Sequence, residues 1–224
     1  MDENIQKNPE FPAGKAKTLI KKIQRIAREN NGEARLVGGA VRNWLMKMPI
    51  KDFDMAINIP ILKLIEILKK KGIKLHETGV SHGTITVVEN DITIEVTQTR
   101  KDIESDGRRS NVVAISDWAL DAQRRDFTVN AIYFTDSYKL YDPFNGLSDL
   151  RNKKLTFIGS ADERIQEDYL RILRAFRLIA FLPGFRMPKT EIKALERHQK
   201  KLVTLSYERI TDEFSKWLMA ENPI

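Results

Sequence analysis

Apolar residues recur at helical spacing near the start of the chain. From Ala13 to Asn30 these apolar residues lie among lysines and arginines, which predicts an amphipathic helix that ends at the Asn-Asn-Gly sequence. The apolar face of this helix is made of Leu19, Ile20, Ile23, Ile26 and Ala27.

Short strands and helices are predicted next. The pattern indicates a strand in ARLVGG, a helical turn in AVRNWLMKM and a second strand in DFDMAI. A helix is predicted from Ile61 to Lys71, closed by Gly72. Period-two alternation from Ile73 to Thr99, interrupted at Glu89-Asn90-Asp91, predicts a β-hairpin. The polar segment from Arg100 to Asp117 is expected to be an ordinary surface loop.

The pattern changes in the last third of the chain. From Ser160 onward strand signals vanish, and leucines and arginines recur at helical spacing. We place a boundary between Leu150 and Gly159. The fold class predicted from this pattern is an α/β (α+β) head with a small mixed β-sheet, residues 1–150, followed by an all-helical neck, residues 151–224.

Composition narrows the class of protein. The 224 residues are 42% hydrophobic and 31% charged, which suits one or two domains with a real core. A formal net charge of +7 favours an anionic partner. The absence of cysteine excludes disulfides and thiolate metal sites. Because no signal peptide and no apolar run of membrane-spanning length is found, we expect a cytoplasmic protein without a membrane partner.

Three acidic side chains are candidates for a metal site. Asp52 and Asp54 lie one residue apart on a predicted strand, so they share a face and repel unless a cation neutralises them. Mg²⁺ accepts such hard oxygen ligands and commonly uses one or two carboxylates together with substrate phosphates. In its predicted strand, Glu95 lies on the face opposite to Ile94 and Val96. It would support the metal site if this strand pairs beside the strand of the aspartates. The alternative is a polar edge of an exposed strand.

A glycine pair precedes the aspartates. Gly38 and Gly39 end a predicted strand and begin a helical turn, which lets backbone N–H groups approach phosphate oxygens, with Arg42 nearby as a cation. All these residues lie between Gly38 and Asp54. Together they favour a bound triphosphate and its metals over a simple turn.

The stretch LVGGAVRNWLMKMPIKDFDMAI resembles the signature of the class II tRNA nucleotidyltransferase and bacterial poly(A) polymerase family. RRDFTVNAIY, YDPFNGLSDL, ERIQEDYLRILRAFRL and YERITDEFSKWL resemble its later motifs in order, so the resemblance covers roughly Ala34 to Leu218. It implies a nucleotidyltransferase head, two Mg²⁺ ions, ATP and CTP as substrates, and the 3′ end of tRNA as partner. Asn43 stands where the family usually has aspartate, and Ile57 where threonine is common, which is expected to weaken support of the site.

The same resemblance implies roles for individual residues. Asp52 and Asp54 would be the catalytic metal ligands, with Glu95 in support. The residues implied in binding the nucleotide triphosphate or ribose, or in supporting that segment, are Gly38, Gly39, Arg42, Arg124, Arg125, Asp126 and Asn130.

A second constellation lies in EDYLR. Asp168 and Arg171 are three residues apart and would share one face of a helix, either as an intrahelical ion pair or as a reader of a base. A carboxylate accepts from the exocyclic amine of cytosine or adenine, and a guanidinium donates to the neighbouring acceptor, so U and G would be rejected. The resemblance implies this role, with Arg174 and Arg177 on the same side for phosphates or a base. The residues of this helix expected in the core are Leu170, Leu173, Phe176 and Ile179.

The predicted function is template-independent addition of CCA to tRNA from CTP and ATP. A poly(A) polymerase, or an enzyme that adds only CC or only A, is the nearest alternative, and a catalytically silent RNA-binding module is the more distant one. Members of the family generally continue into body and tail domains that are absent here, so we expect a piece of a longer protein, a minimal enzyme, or a chain that needs an oligomer or a helper RNA-binding partner.

Overall fold

A computed structural model describes residues 14–105 and 110–220 of the chain. Its helices are α1 (Lys15–Glu29), α2 (Gly39–Leu45), α3 (Ile61–Lys70), α4 (Trp118–Gln123), α5 (Gly146–Arg151), α6 (Ala161–Glu167), α7 (Leu170–Phe181), α8 (Lys189–His198) and α9 (Tyr207–Leu218). Its strands are β1 (Ala34–Val37), β2 (Phe53–Ile57), β3 (Lys74–His76), β4 (Thr84–Glu89), β5 (Ile92–Gln98), β6 (Arg100–Ser105), β7 (Ser110–Ala114), β8 (Tyr133–Phe134) and β9 (Leu140–Tyr141). Short 3₁₀ turns span Val80–His82, Thr128–Asn130 and Gln199–Thr204.

A mixed seven-stranded sheet forms the centre of the head. Its strand order is β3-β4-β5-β2-β1-β8-β9, and among these seven strands β2 and β5 are the pair that runs in parallel. A parallel pair requires a crossover, which α3, β3 and β4 provide between these two strands. The predicted mixed sheet, the first helix and the hairpin around Glu89-Asn90-Asp91 are confirmed, except that the expected start at Ala13 lies outside the described residues.

The two faces of this sheet are covered differently. Helices α1 and α3 place their apolar sides, including Ile23 and Leu64, on one face, where they meet inward side chains of β2 and β5 such as Met55 and Val96. A smaller cluster that includes Val37, Ala56, Trp118 and Tyr133 lies apart from this main core. Because strand side chains alternate, Asp54 points to the same side as Ala56, away from the main core.

The helices after residue 160 pack onto the same core as the sheet. One buried cluster contains residues from both parts of the chain, including Phe127, Phe157, Ile172 and Leu195. The predicted helical character of this part is confirmed, whereas the division into two domains at residue 150 stays a prediction.

The buried face of α7 differs from the one predicted. Ile172, Ala175 and Leu178 are the fully buried positions of this helix. Ile179 is partly buried and packs against the core, so its assignment is confirmed. Leu170 and Leu173 are only partly buried and Phe176 is 44% exposed, so the assignment of these three to the core was wrong. The real stripe is a helical i, i+3, i+6 series whose alanine carries little hydrophobic signal.

The segment from Arg100 to Asp117 was expected to be an ordinary surface loop, which is wrong for residues 100–105 and 110–114. Strands β6 and β7 pair antiparallel as a separate two-stranded sheet with an irregularity at Asp102 and Glu104. Residues 106–109 between them lie outside the described part. None of the described helices combines the length and apolar character needed to cross a bilayer.

Candidate active site

The predicted carboxylates meet at the paired strands β2 and β5. Asp54 is the register neighbour of Glu95 across the parallel pair, so the two side chains lie side by side on the face away from the main core. Asp52 precedes β2 and is exposed. The condition stated for Glu95, that its strand pair beside the aspartates, is met.

The Asp54 carboxyl is electrostatically unfavourable in the free protein. Burial and the neighbouring Glu95 raise its pKa to about 6, and Asp52 adds to this rise while Arg125 opposes it. Carboxylates that share a site in this way are stabilised by a cation.

The donor set fits magnesium rather than an ion held by protein alone. Among the described residues no three His, Asp, Glu or Cys side chains are gathered into a group that could hold a metal. Mg²⁺ commonly takes only one or two carboxylates and completes its shell with water and substrate phosphates. Asp54 and the exposed Asp52 are the two residues that would serve.

A glycine turn closes one side of this site. Gly38 has φ 75° and ψ −141°, a backbone conformation that is essentially restricted to glycine. A Cβ atom at Gly38 would lie 3.5 Å from Asp54 Oδ2 and 4.0 Å from Arg125 Nη1, and a Cβ at Gly39 would lie 3.5 Å from Arg42 Nη2. The predicted glycines, aspartate and arginines are therefore brought together.

Arg124 and Arg125 are oriented by an acid that the sequence analysis missed. Asp121 is fully buried and accepts hydrogen bonds from Arg124 Nε at 2.8 Å and Tyr133 Oη at 2.8 Å. Arg125 donates to Asp121 Oδ2 at 3.3 Å and to Tyr133 Oη at 3.0 Å. Burial raises the pKa of Asp121, but the two arginines and Tyr133 outweigh it, so the pKa falls below its ordinary range. The spacing of Asp121 before both arginines at i+3 and i+4 was the available signal.

A buried polar chain connects Arg42 with the neck. Arg42 donates to Asn43 Oδ1 at 2.8 Å and to Asn130 Oδ1 at 2.5 Å, and Asn130 donates in turn to Asp126 Oδ1 at 3.0 Å. Asp126 Oδ2 accepts from Arg174 Nε at 2.8 Å. Burial lowers the pKa of Arg42 to about 10, against the raising influence of Asp126. Asn43, at the position where the family usually has aspartate, also donates to the carbonyl of Pro49 at 2.9 Å.

Asp168 and Arg171 do not share a helix, which corrects the predicted geometry. Asp168 has an extended backbone, with φ −156° and ψ 105°, in the break between α6 and α7. Its carboxylate accepts from the Leu170 N–H at 3.0 Å and from Arg209 Nη2 at 2.8 Å. Asp168 is therefore paired with Arg209 and not with Arg171, so the intrahelical ion pair that was the alternative to base reading is not formed.

The guanidinium of Arg171 is held by a different acid, Glu167, and by two main-chain carbonyls. It donates to Glu167 Oε2 at 2.7 Å, to the carbonyl of Arg164 at 2.8 Å and to the carbonyl of Arg124 at 3.1 Å. It is therefore tied to the segment that carries Arg124 and Arg125, although it lies on the helical side of the molecule.

Helix α9 provides two partners that the sequence analysis did not assign. Arg209 pairs with Asp168, and Glu213, one helical turn later, pairs with Arg177. Glu213 is 4% exposed, although it is charged. The structure shows that Glu213 is buried beside Arg177. Nothing in the sequence YERITDEF distinguishes this acid from one exposed to solvent.

Solved structures show which class of protein this architecture represents. The chain superimposes on the crystal structure of the Bacillus stearothermophilus CCA-adding enzyme in complex with CTP with a TM-score of 0.84 and 30% sequence identity, over 93% of this chain and 50% of that one. The mixed sheet with its carboxylates and the helices behind it are the nucleotidyltransferase head and neck of that class.

Sequence comparisons identify the family. Residues 34–156 match the model described as the poly(A) polymerase head domain, and the chain belongs to this family. The CCA tRNA nucleotidyltransferase 1, mitochondrial, of Homo sapiens is 38% identical over 219 residues, 96% of this chain and 50% of that protein. The CCA-adding enzyme of Streptococcus uberis is 40% identical over 210 residues, 93% of this chain and 50% of that protein. The chain thus spans about half the length of these curated relatives, and the resemblance read from the motifs is confirmed.

Proposed function

We propose that this chain carries the catalytic part of an enzyme that adds C, C and A to the 3′ end of tRNA, using CTP and ATP. The observation that carries the proposal is the register pairing of Asp54 with Glu95 directly beside the Gly38 turn. This arrangement combines negative charge for cations with backbone that a phosphate can approach closely. The names of the human and streptococcal relatives support the same activity.

The reaction needs no covalent enzyme intermediate. The 3′-hydroxyl oxygen of the RNA attacks the α-phosphorus of the nucleotide in line, a new P–O bond forms, the bond to the β-phosphate oxygen breaks, and pyrophosphate leaves. The protein contributes mainly position and charge to such a transfer. Asp52 and Asp54 would hold Mg²⁺, with Glu95 in support, and two bound ions would supply Lewis-acid stabilisation of the phosphates and a more acidic hydroxyl.

The arginines of the site would bind and orient the nucleotide. Arg125 lies beside Asp54 and is oriented by Asp121 and Tyr133, so its guanidinium is pre-positioned for phosphate oxygens. Arg42 is buried with amide partners rather than a directly bonded carboxylate, which leaves its positive charge available to the triphosphate.

Base selection is proposed for Asp168 and Arg171. Their present partners, Arg209 and Glu167, keep each group in a fixed orientation, and an incoming base would share or exchange these hydrogen bonds. Cytosine and adenine offer an amine to the carboxylate and an acceptor to the guanidinium, whereas U and G present the wrong groups.

The test is nucleotide addition by the purified chain. It is incubated with Mg²⁺ and tRNA that ends before CCA, with CTP and ATP separately and together, and the 3′ ends are sequenced. Addition of CCA that then stops is expected. The variant Asp52→Ala/Asp54→Ala should abolish it, whereas Glu66→Ala/Asp212→Ala, which removes two exposed acids that form no ion pair with the other described residues, should not.

Other products would identify the alternatives. Long A tails would favour a poly(A) polymerase, the function for which the matched family model is named. CC or A alone would indicate a partial activity. Binding of tRNA without any incorporation would contradict the claim that this chain is sufficient for catalysis. The cytoplasmic location stays a prediction, and the name of the human relative includes the word mitochondrial.

A further inference from the structure

Two arginines stand out because their side chains have no partner in the part of the chain that the structure describes. The other arginines that the structure describes each take part in a side-chain hydrogen bond or ion pair, whereas Arg151 and Arg186 take part in none. Both are exposed, at the end of α5 and in the turn before α8. An exposed, unpaired guanidinium is the group best suited to bidentate contact with a phosphate.

Backbone pairing brings these two arginines into one surface. Lys154 and Arg186 form an isolated parallel β-bridge, with Arg186 N–H donating to the Lys153 carbonyl at 2.9 Å and Leu155 N–H donating to the Arg186 carbonyl at 3.0 Å. The side chain of Lys153 lies over Gly184, with Nζ 3.2 Å from the position a Cβ would take there. The basic strip that results consists of Arg151, Lys153, Lys154, Arg186 and Lys189, all exposed.

The basic strip has no directly paired acid among the described residues. None of its five side chains forms an ion pair there. Asp149 beside it accepts a hydrogen bond from Thr128. Glu191 is 7% exposed, and burial raises its pKa although the charge of Lys154 opposes this rise. The strip therefore presents concentrated positive charge on a frame fixed by main-chain hydrogen bonds.

The basic strip is joined through the main chain to the segment that carries Asp126. The residues from Lys154 to Ile158 make this connection, with the Thr156 carbonyl accepting from Thr128 N–H at 3.0 Å and Ile158 N–H donating to the Asp126 carbonyl at 3.1 Å. These four residue steps span at most about 13 Å. Asp126 belongs to the polar chain that includes Arg42, so hydrogen bonds connect the strip with the arginine side of the candidate active site.

We infer that the basic strip binds the phosphate backbone of the double-stranded RNA stem whose 3′ strand enters the active site. The inference rests on the proposed function for its substrate. A-form RNA is recognised largely through phosphates and shape rather than base sequence, and a rigid row of unpaired cations is suited to such contact. The strip would thereby hold the stem while the 3′ end is extended.

Direct binding tests this inference separately from catalysis. The affinity of the full chain for tRNA that ends before CCA is measured by fluorescence anisotropy over a range of salt, without nucleotide. The strip variant Lys153→Gln/Lys154→Gln is compared with Lys63→Gln/Lys70→Gln, which removes the same charge from exposed positions of α3. If each lysine contacts one phosphate, the slope of log K against log salt should shrink by about 1.8 in the strip variant. The control should stay within about twofold of the parent affinity. A second pair, Arg151→Gln/Arg186→Gln, should weaken binding further than the lysine pair.

The outcomes separate this inference from the proposed function. A single-stranded RNA with the same 3′ sequence should bind the parent and the strip variant equally. An unchanged salt slope, an equal loss in the α3 control, or an equal loss for single-stranded RNA would each overturn the stem assignment. If strip-dependent tRNA binding persists but no nucleotide is ever added, the proposed catalysis fails while the strip inference stands.

Discussion

At the scale of single residues, three arginines near the site are matched by acids, whereas the carboxylates of the site lie beside each other. Arg124, Arg125 and Arg174 each have a buried acid as partner, and these pairs are held by hydrogen bonds as well as charge. Asp54 instead has Glu95 beside it, and its pKa is raised to about 6. A strained electrostatic arrangement of this kind is expected where function, and not stability, selects the residue.

Replacing Asp54 by asparagine should therefore separate activity from stability. The ionised carboxylate costs the folded state free energy above the ordinary pKa near 3.8, and the full cost is reached above pH 6. We expect Asp54→Asn to abolish nucleotide addition and, in the presence of a chelator, to raise the free energy of unfolding at pH 8 by roughly 1 kcal/mol, a figure reduced for partial solvation. Urea unfolding at pH 8 and pH 4 checks this, and a gain of equal size at pH 4 would contradict it.

At the scale of elements, the turn from β1 into α2 positions the site. Gly38 has a positive φ and its missing Cβ leaves room for Asp54 Oδ2 and Arg125. Gly159 also has a positive φ, of 74°, but a Cβ there would meet nothing within 4 Å. The two glycines thus share the strained backbone conformation, but only Gly38 lies in contact with the site.

Alanine at these two glycines should have different consequences. Gly38→Ala and Gly159→Ala are each expected to cost about 1–3 kcal/mol of stability because an L side chain is strained at such φ values. Only Gly38→Ala should also lower kcat/KM for nucleotide addition, by about tenfold or more, because relief of the backbone strain would shift the turn that lies beside Asp54 and Arg125. Thermal unfolding and steady-state kinetics at a temperature where both variants are folded would distinguish these effects. Equal activity of the two variants would argue against a role of the turn in the site.

Helix α9 is the second element with a positioning role. Arg209 and Glu213 hold Asp168 and Arg177 from one face of this helix. Arg209→Gln should leave the fold intact but free Asp168 Oδ2, while Oδ1 keeps its hydrogen bond from the Leu170 N–H. We therefore expect kcat/KM for CTP and ATP to fall about tenfold and incorporation of UTP and GTP to rise relative to them. Lys216→Gln on the same helix, at an exposed position that forms no ion pair with the other described residues, is the matched control. If the variant discriminates among the four nucleotides as the parent does, Asp168 has no role in base selection.

Local sequence patterns predicted the secondary-structure elements well, but they predicted poorly which residues contact each other in the fold. The alternation in ITIEVTQ placed Glu95 on the correct face, but the choice of β2 as parallel neighbour depends on contacts distant in sequence. A continuous helix through EDYLR was expected, yet Asp168 breaks it and accepts a hydrogen bond from the Leu170 N–H. Aspartate favours such caps over helix interiors, so this break was within reach of sequence reasoning. Asp121 and Tyr133 were missed because their roles arise from burial and mutual contact.

At the scale of the whole molecule, the ion pair of Asp126 with Arg174 joins the sheet-bearing part to the helical part. Asp126 is 6% exposed, and burial raises its pKa, but Arg174, Asn130 and the Phe127 N–H more than reverse this, so the pKa lies well below its ordinary range. The carboxylate form is therefore stabilised by folding. This contribution is present above the ordinary pKa near 3.8 and is lost as the pH falls toward the lowered value.

Asp126→Asn should weaken the molecule in a pH-dependent way. It leaves Arg174, whose side chain is 35% exposed, without its directly bonded acid. We expect a loss of about 2 kcal/mol at pH 7, less than for a fully buried pair because solvent screens the Arg174 charge. The difference between variant and parent should narrow below about pH 4, as the parent loses the same interaction. Urea unfolding between pH 7 and pH 3 measures this. If the difference in the free energy of unfolding between variant and parent does not change with pH, the loss of stability arises from packing and not from the ion pair.

The parallel pairing of β2 with β5 also has a consequence for the time course of folding. Asp54 and Glu95 are separated in the chain by a helix, a strand and one arm of the hairpin, so closing this long loop is entropically costly and β2 cannot meet β5 through local structure alone. The carboxylates are thus brought together only when this long-range topology is complete. A nascent or partly unfolded head would lack the complete acidic site, and competence for nucleotide transfer would mature together with the native sheet.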